Sequence, residues 1–341
     1  MYLNIPAPLP DECLRGYGGR VRLLNGQAIH QRLGLLPWLS EVANCSISLL
    51  TKHHTHLGYQ RFVNGEYFQQ DIGNHRDLIS NCRISAGATP IDTSRFCPEC
   101  IREDMGFHGV SYWRRAHQLP GVDHCTKHTV SLIETGRFSM HQGQPLSALA
   151  ARPAIAEQNV HAYFESAFIQ RFAILSDAAL QASIPFRPEV VTRALCRRVR
   201  AVIGEHRVSL SQLARQYFPD FWIRKNFPAM FGKRPDDGIT AVDDVLRSSR
   251  SAYTTKSYLL ALSILWDDPD EAMRACLQEA ALSSSGFNEK GGRKVLRDVL
   301  GGRSITQSCR QHDVNLRDFE YALQEFVKEI RPLASAYATK L

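Results

Sequence analysis

Cys97-Pro98-Glu99-Cys100 and, after 24 intervening residues, Cys125-Thr126-Lys127-His128 are the residues whose types and spacing point to chemistry. A tight turn within Cys-x-x-Cys turns two thiolates to the same side. The second run repeats the spacing with an imidazole as its last donor. Together Cys97, Cys100, Cys125 and His128 make a Cys3His set with no position left for water or substrate, so the expected cofactor is one structural zinc ion. A redox dithiol accounts for Cys97 and Cys100 but leaves Cys125 and His128 unexplained. His124, next to Cys125, is the alternative fourth ligand, and His108 and His117 are expected as hydrogen-bonded structural histidines. The run "KHHTH", Lys52 to His56, looks like a metal tract, but nothing pairs with it, and it reads as a polar surface. Cys13, Cys45, Cys82, Cys196, Cys276 and Cys309 are isolated and read as buried or incidental thiols. An odd total of nine cysteines over 341 residues suits free thiols and a metal site better than a secreted disulfide framework.

Other chemistry has no visible apparatus. There is no P-loop, no Gly-x-Ser-x-Gly, no His-Glu-x-x-His and no evident acidic triad of the kind a two-metal transposase needs, so the chain is read as a non-enzyme. No signal-like N-terminus and no run of about 18 apolar residues occurs, which gives the expectation of a cytoplasmic protein without a membrane span. Hydrophobic residues make up 44% and charged residues 22%, ordinary values for a globular chain. The net charge of +7 is unevenly placed, since Val190 to Lys256 holds 13 basic and 6 acidic side chains. Such a segment attracts polyanions and releases counterions on meeting phosphates.

The elements that must position these residues read as mainly α. An N-terminal helical domain with room for a helix-turn-helix is expected over 1–90, a small Cys3His zinc module over 91–140, and a linker over 141–154. A C-terminal helical, basic region with candidate tandem helix-turn-helix units is expected over 155–341. "DECLRGYGGRVRLLNG" offers Asp11 as a helix N-cap and Asn25-Gly26 as the stop, and short helices follow in "AIHQRLGL", "PWLSEVANC" and "HRDLISNCR". Between the metal half-sites, "YWRRAHQLPGV" is either a partner-binding surface or plain packing around a core too small to stand without metal.

Further on, "EQNVHAYFESAFIQRFAILSDAAL" reads as an amphipathic helix ending near Gln181. "RPEVVTRALCRRVRAVIGEH" reads as another, with Val190, Val191, Leu195, Val199 and Val202 inward and Arg193, Arg197, Arg198 and Arg200 left for solvent or phosphate, Arg197 and Arg198 as candidate DNA contacts. "VSLSQLARQYF", a break at Pro219-Asp220 and "DFWIRKNFPAMFGKRP" form a candidate helix-turn-helix. Its second helix would present Trp222, Arg224, Lys225 and Asn226 to base edges, with Lys233 and Arg234 on phosphates and the phenylalanines 218, 221 and 227 as core. "TTKSYLLALSILWDDPDEAMRACL" reads as buried scaffold capped at Thr254 or Thr255. A second helix-turn-helix candidate, "GRSITQSCRQHDVNLRDFEYALQEF", places Ile305, Cys309, Val314, Phe319 and Leu323 at apolar positions and Asp313 in the turn. Its recognition helix, from about Leu316, would present Asn315 and Arg317 to DNA.

The combination "FCPECIRED…YWRRAHQLPGVDHCTKH", with the opening "PAPLPDECLRGYGGRVRLLNG", resembles the TniQ/TnsD family of bacterial transposon target-selection proteins. The likeness is specific over residues 6–26 and 96–134. It implies a non-enzymatic adaptor that links a DNA site or an RNA-guided complex to a AAA+ transposition ATPase, with homodimerisation in some members. Some members carry a second cysteine-rich finger, and the residues after His128 contain no cysteine until Cys196. The competing reading from residues alone is a zinc-containing, sequence-specific transcription regulator, since a zinc site and basic helical units fit it equally.

Overall fold

A computed structural model of the chain describes residues 4–26, 35–56, 59, 94–135, 143–150, 166–182, 188–203, 209–231, 234, 237–246, 254–285, 289–312, 314, 319, 323 and 326. The expected helix at 75–83, most of that at 28–35, and Cys82 lie outside the described residues. The chain is mainly helical and divides into two compact units, 1–279 and 280–341.

The first unit opens with α1 (Leu14–Leu24), α2 (Leu35–Val42) and α3 (Ile47–His54). Leu14, Tyr17 and Val21 fall on one helical face and close a small core with Leu36, Trp38, Leu39 and Leu50. α1 ends where Asn25-Gly26 predicts: Asn25 Nδ2 donates to the Val21 carbonyl at 2.7 Å, and Gly26 takes φ +68. Its start is a correction. Cys13, not Asp11, is the N-cap; Asp11 sits at φ +57, a left-handed turn that sends its carboxylate 2.9 Å from Arg115 Nε.

Residues 94–135 form two short antiparallel ladders around α4 (Pro98–His108). β1 (Arg95–Phe96) pairs with β4 (Ile133–Glu134), and β2 (His124–Cys125) pairs with β3 (Val130–Ser131). Two-residue ladders supply few hydrogen bonds, and buried side chains supply the rest. Arg95 donates from Nη1 to the Val122 carbonyl at 2.5 Å and from Nη2 to the Leu119 carbonyl at 2.8 Å. Gln118 clasps the backbone of Arg95, accepting from its N–H at 3.0 Å and donating to its carbonyl at 2.7 Å.

The "YWRR" arginines point inward, which favours packing over a partner surface. The Cys13 N–H donates to the Trp113 carbonyl at 2.7 Å and the Arg115 N–H to the Asp11 carbonyl at 2.8 Å, so the chain before α1 runs alongside residues 113–115. Arg115 Nη1 donates to the carbonyls of Lys52 (2.7 Å) and Thr55 (3.0 Å), while Arg114 pairs with Asp104 at 2.5 Å. "KHHTH" is a polar surface only at Lys52 and His53, which are exposed. His54 is buried with Nδ1 2.8 Å from the Glu12 carbonyl, and His56 places Nε2 3.1 Å from the Arg115 carbonyl, because this end of α3 closes over the arginine.

Within the expected linker, α5 (Pro145–Ala150) buries Ala148 against Cys13, Phe96, Ile101 and Trp113. The remaining helices are α6 (Ala167–Gln181), α7 (Pro188–Ile203), α8 (Leu210–Tyr217), α9 (Asp220–Asn226), α10 (Thr240–Asp243), α11 (Thr255–Leu265) and α12 (Pro269–Ser285). Ser166 and Ser209 cap α6 and α8 by accepting from the amides three residues on, at 3.4 and 3.3 Å. α11 is buried from Tyr258 to Leu262 and packs along α6. α9 is shorter than the sequence suggests, because Pro228 removes a backbone donor and the chain turns through a 3-10 turn, Pro228–Met230. Val202, expected inward on α7, is exposed. The core shared by these helices also takes in Leu119 and Val122 from between the metal half-sites.

The second unit contains α13 (Glu289–Leu300) and α14 (Ile305–Gln311), the latter capped by Ser304. Val295, Leu296, Cys309, Val314 and Phe319 form its core, while Ile305 and Leu323, expected inward, are more than a third exposed. Asp313, Asn315, Leu316 and Arg317 lie outside the described residues.

A Cβ at Gly16 would lie 2.8 Å from Trp113 Cβ, whereas one at Gly106, inside α4, meets nothing within 4 Å. Gly16→Ala is expected to cost about 1–3 kcal/mol in urea denaturation, and Gly106→Ala to be neutral or stabilising by up to about 1 kcal/mol. Burial pulls His56 down to about 4, against an ordinary 6.5. The unfolded chain then binds the extra proton between those values, so His56 should stabilise fully above about pH 6.5 and lose that contribution as pH falls toward 4. A loss of about 1–2 kcal/mol by pH 5, absent in His56→Gln, is the expected denaturation profile.

Candidate metal centre

Cys97 caps α4, with Pro98 at the first helical position and Glu99 in the first turn. Proline is favoured there because its missing donor is unneeded. Cys100 follows one turn later on the same face. The second half-site is a ladder turn: Cys125 ends β2, and the Thr129 amide, at φ +52, donates to the Cys125 carbonyl at 2.8 Å, which folds His128 back over its own cysteine.

The four donors converge. Cys100 Sγ lies 3.8 Å from Cys125 Sγ, and His128 Nδ1 lies 3.5, 3.3 and 3.7 Å from the sulfurs of Cys97, Cys100 and Cys125. A zinc tetrahedron with Zn–S of about 2.3 Å and Zn–N of about 2.0 Å has edges of about 3.8 Å between sulfurs and about 3.5 Å from sulfur to nitrogen. The donor set fits that ion, and all four ligand atoms lie within 4.8 Å of one another. The three cysteines are buried. Hydrogen bonding with Cys125 holds the Cys100 thiol far above the ordinary range, while hydrogen bonds from Cys100 and Cys97 hold Cys125 far below it. Neighbouring sulfurs resist carrying three negative charges together, and a dication removes that conflict.

His124 is not among the converging donors, although it is buried beside them and burial lowers its pKa. His117 sits just outside the set, with Nε2 3.8 Å from Cys100 Sγ. His108 meets the rings of Phe107 and Tyr112 edge-on. Glu103 was not read from the sequence as part of the site, yet its Oε1 lies 3.0 Å from His128 Nε2. The available signal was its place one helical turn after Cys100.

The residues expected to meet DNA are dispersed. Trp222 and Asn226 are buried: the indole Nε1 donates to the Gly121 carbonyl at 3.3 Å, and Asn226 Nδ2 donates to the Trp222 carbonyl at 3.1 Å. They are corrected to core, because α9 turns its Trp222 face onto Phe172, Phe218 and Phe227. Lys225 bridges Asp123 at 2.8 Å and Glu134 at 2.5 Å, both in the metal segment. Arg197 pairs with the buried Glu279 at 2.7 Å, and Arg198 donates to the Leu265 carbonyl at 2.9 Å and lies over Trp266. Arg224 is exposed over the Phe231 ring at 4.2 Å, and Arg234 is exposed nearby in sequence. Lys233, Asn315 and Arg317 lie outside the described residues. Among the described residues, no helix is long and apolar enough to cross a membrane.

Residues 4–132 match the TniQ family model, a stretch that ends just after His128 and contains the whole Cys3His set. Over this part the chain is similar to a TniQ domain, which associates it with transposition. Comparison with curated proteins gives no match.

Purified protein is expected to carry one zinc ion per chain by metal analysis, and the double variant Cys97→Ser, Cys100→Ser to carry none. Because Leu119 and Val122 belong to the helical core, amide exchange should accelerate around α4 and 124–131 while α11 stays protected. Full zinc content in the variant would remove these residues from the ligand set.

Proposed function

We propose that this chain, on the premise of a TniQ domain at residues 4–132, is a non-enzymatic adaptor for target selection in DNA transposition. In this reading the TniQ domain, with one structural zinc, meets a AAA+ transposition ATPase. The helices after it contact DNA or an RNA-guided complex. The observation that carries the reading is the coincidence of the TniQ match with the converging Cys3His set. The sharing of Leu119 and Val122 with the core of α6, α7, α8 and α11 supports it, since a bridging protein needs its two contact regions on one frame.

The proposed DNA contacts are the cations left outward. Arg224 stacks on Phe231, and Arg215 donates to the carbonyls of Met230 (2.5 Å) and Arg234 (3.2 Å), which gathers Arg215, Arg224 and Arg234 around one turn. Arg197 and Arg198 are better assigned to the ion pairs they make with α12, and Lys225 to its two carboxylates. Lys233, Asn315 and Arg317 stay in the proposal as sequence-derived contacts. The protein is taken to act in the cytoplasm of a bacterial cell, with homodimerisation on the target as a further expectation.

A mobility shift with zinc-loaded protein against random duplex and candidate target sites tests the DNA half. The double variant Arg224→Ala, Arg234→Ala is expected to bind more weakly and to lower the slope of log K against log salt by about 2. An unchanged slope would remove this surface from the interface. Co-purification with the AAA+ ATPase of the same transposon tests the other half, with retention expected for the native chain.

A further inference from the structure

We propose that Glu103 and His117 position the metal ligands: Glu103 fixes His128 as an Nδ1 donor, and His117 holds the sulfur of Cys100. The inference rests on zinc occupying the Cys3His set and not on the adaptor reading.

The Glu103 contact joins the two half-sites. Glu103 lies on α4, which carries Cys97 and Cys100, whereas His128 closes the run that begins at Cys125. Only Nδ1 of His128 faces the sulfurs, at 3.3 to 3.7 Å, so Nε2 carries the proton and donates it to Glu103 Oε1 at 3.0 Å. That bond selects one tautomer and one ring orientation and raises the basicity of the donor nitrogen. The other carboxylate oxygen is bonded to Lys127, the residue before the ligand, so the carboxylate is held from both sides. His128 is the least buried ligand, and Glu103 and Lys127 lie across that edge of the centre.

His117 works from the opposite, buried side. Three thiolates and one imidazole leave a zinc centre with a net charge of about −1, and an N–H aimed at a sulfur spreads that charge. His117 Nε2 is 3.8 Å from Cys100 Sγ. It lies in the 3-10 turn Ala116–Gln118, between Arg115, which precedes the turn and holds the N-terminal segment, and Gln118, which clasps Arg95. The imidazole thus ties the metal to the hydrogen-bond framework of the whole TniQ-like segment.

The test is zinc transfer from full-length, zinc-loaded protein to a chromogenic chelator, after metal analysis has established one zinc per wild-type chain. Glu103→Ala is expected to weaken zinc retention about 10- to 100-fold. Glu103→Gln, which keeps an oxygen acceptor, should recover part of the loss, and Lys127→Ala, which frees one side of the carboxylate, should lose less than Glu103→Ala. His117→Phe is expected to speed release several-fold. Nitrogen-15 NMR of the wild-type protein should show His128 protonated at Nε2 and metallated at Nδ1, a readout that needs no variant to fold. Wild-type retention in Glu103→Ala, or metallation of His128 at Nε2, overturns the role of Glu103. Unaltered release in His117→Phe overturns that of His117. A wild-type chain without zinc would instead defeat the metal reading itself.

Discussion

A single buried guanidinium, Arg115, holds together the chain before α1, the end of α3 and the end of α6. Its Nε meets Asp11, its Nη1 meets the carbonyls of Lys52 and Thr55, and its Nη2 reaches Gln181 at the end of α6. Its own backbone N–H and carbonyl are used by Asp11 and His56. Only a planar fork with five donors satisfies so many acceptors at once, which is why lysine is no substitute. Removing the group would strand buried carbonyls, at about 1–3 kcal/mol for each left unpaired. A neighbouring pair repeats the device: Arg20 donates to both oxygens of buried Glu12, at 2.9 and 2.6 Å, and so fixes the entry to α1.

The metal segment is accordingly built between two dissimilar supports. At one end Cys97, Cys100 and Cys125 converge in a set that could hold a cation, with Val130 and Leu132 packed beside them. At the other, Gly121 takes φ +81, and a Cβ there would lie 2.8 Å from Phe172. The bare backbone lets the Gly121 carbonyl reach Trp222 and lets Leu119 and Val122 enter the helical core.

What the sequence disclosed and what it hid divide along sequence distance. The two half-sites, the Asn25-Gly26 stop, the Ser209 cap and the burial of α11 were legible, because each is a pattern within a few residues. The TniQ likeness was legible because its motifs are compact. Hidden were contacts whose partners lie far along the chain. Arg114 and Arg115 look like surface charge until Asp104 and Asp11 are placed against them. Trp222 and Asn226 share a helix with exposed Arg224, and only the packing of Phe172 and Phe218 shows which side is inward. Arg197 and Arg198 look ready for phosphate until α12 brings Glu279 and Glu271 alongside. Periodicity identifies a face, and the charge that will cover it is decided elsewhere.

The clasp between Arg95 and residues 118–122 has a consequence for how the ion is acquired. Arg95 stands two residues before Cys97, and Val122 three residues before Cys125, so hydrogen bonds of the protein itself draw the two half-sites toward each other. Closing such a loop from a free chain carries an entropic penalty that grows with the logarithm of its length. The clasp thus shortens the loop that any ion held by the Cys3His set would have to close, and leaves less of that ordering to the metal.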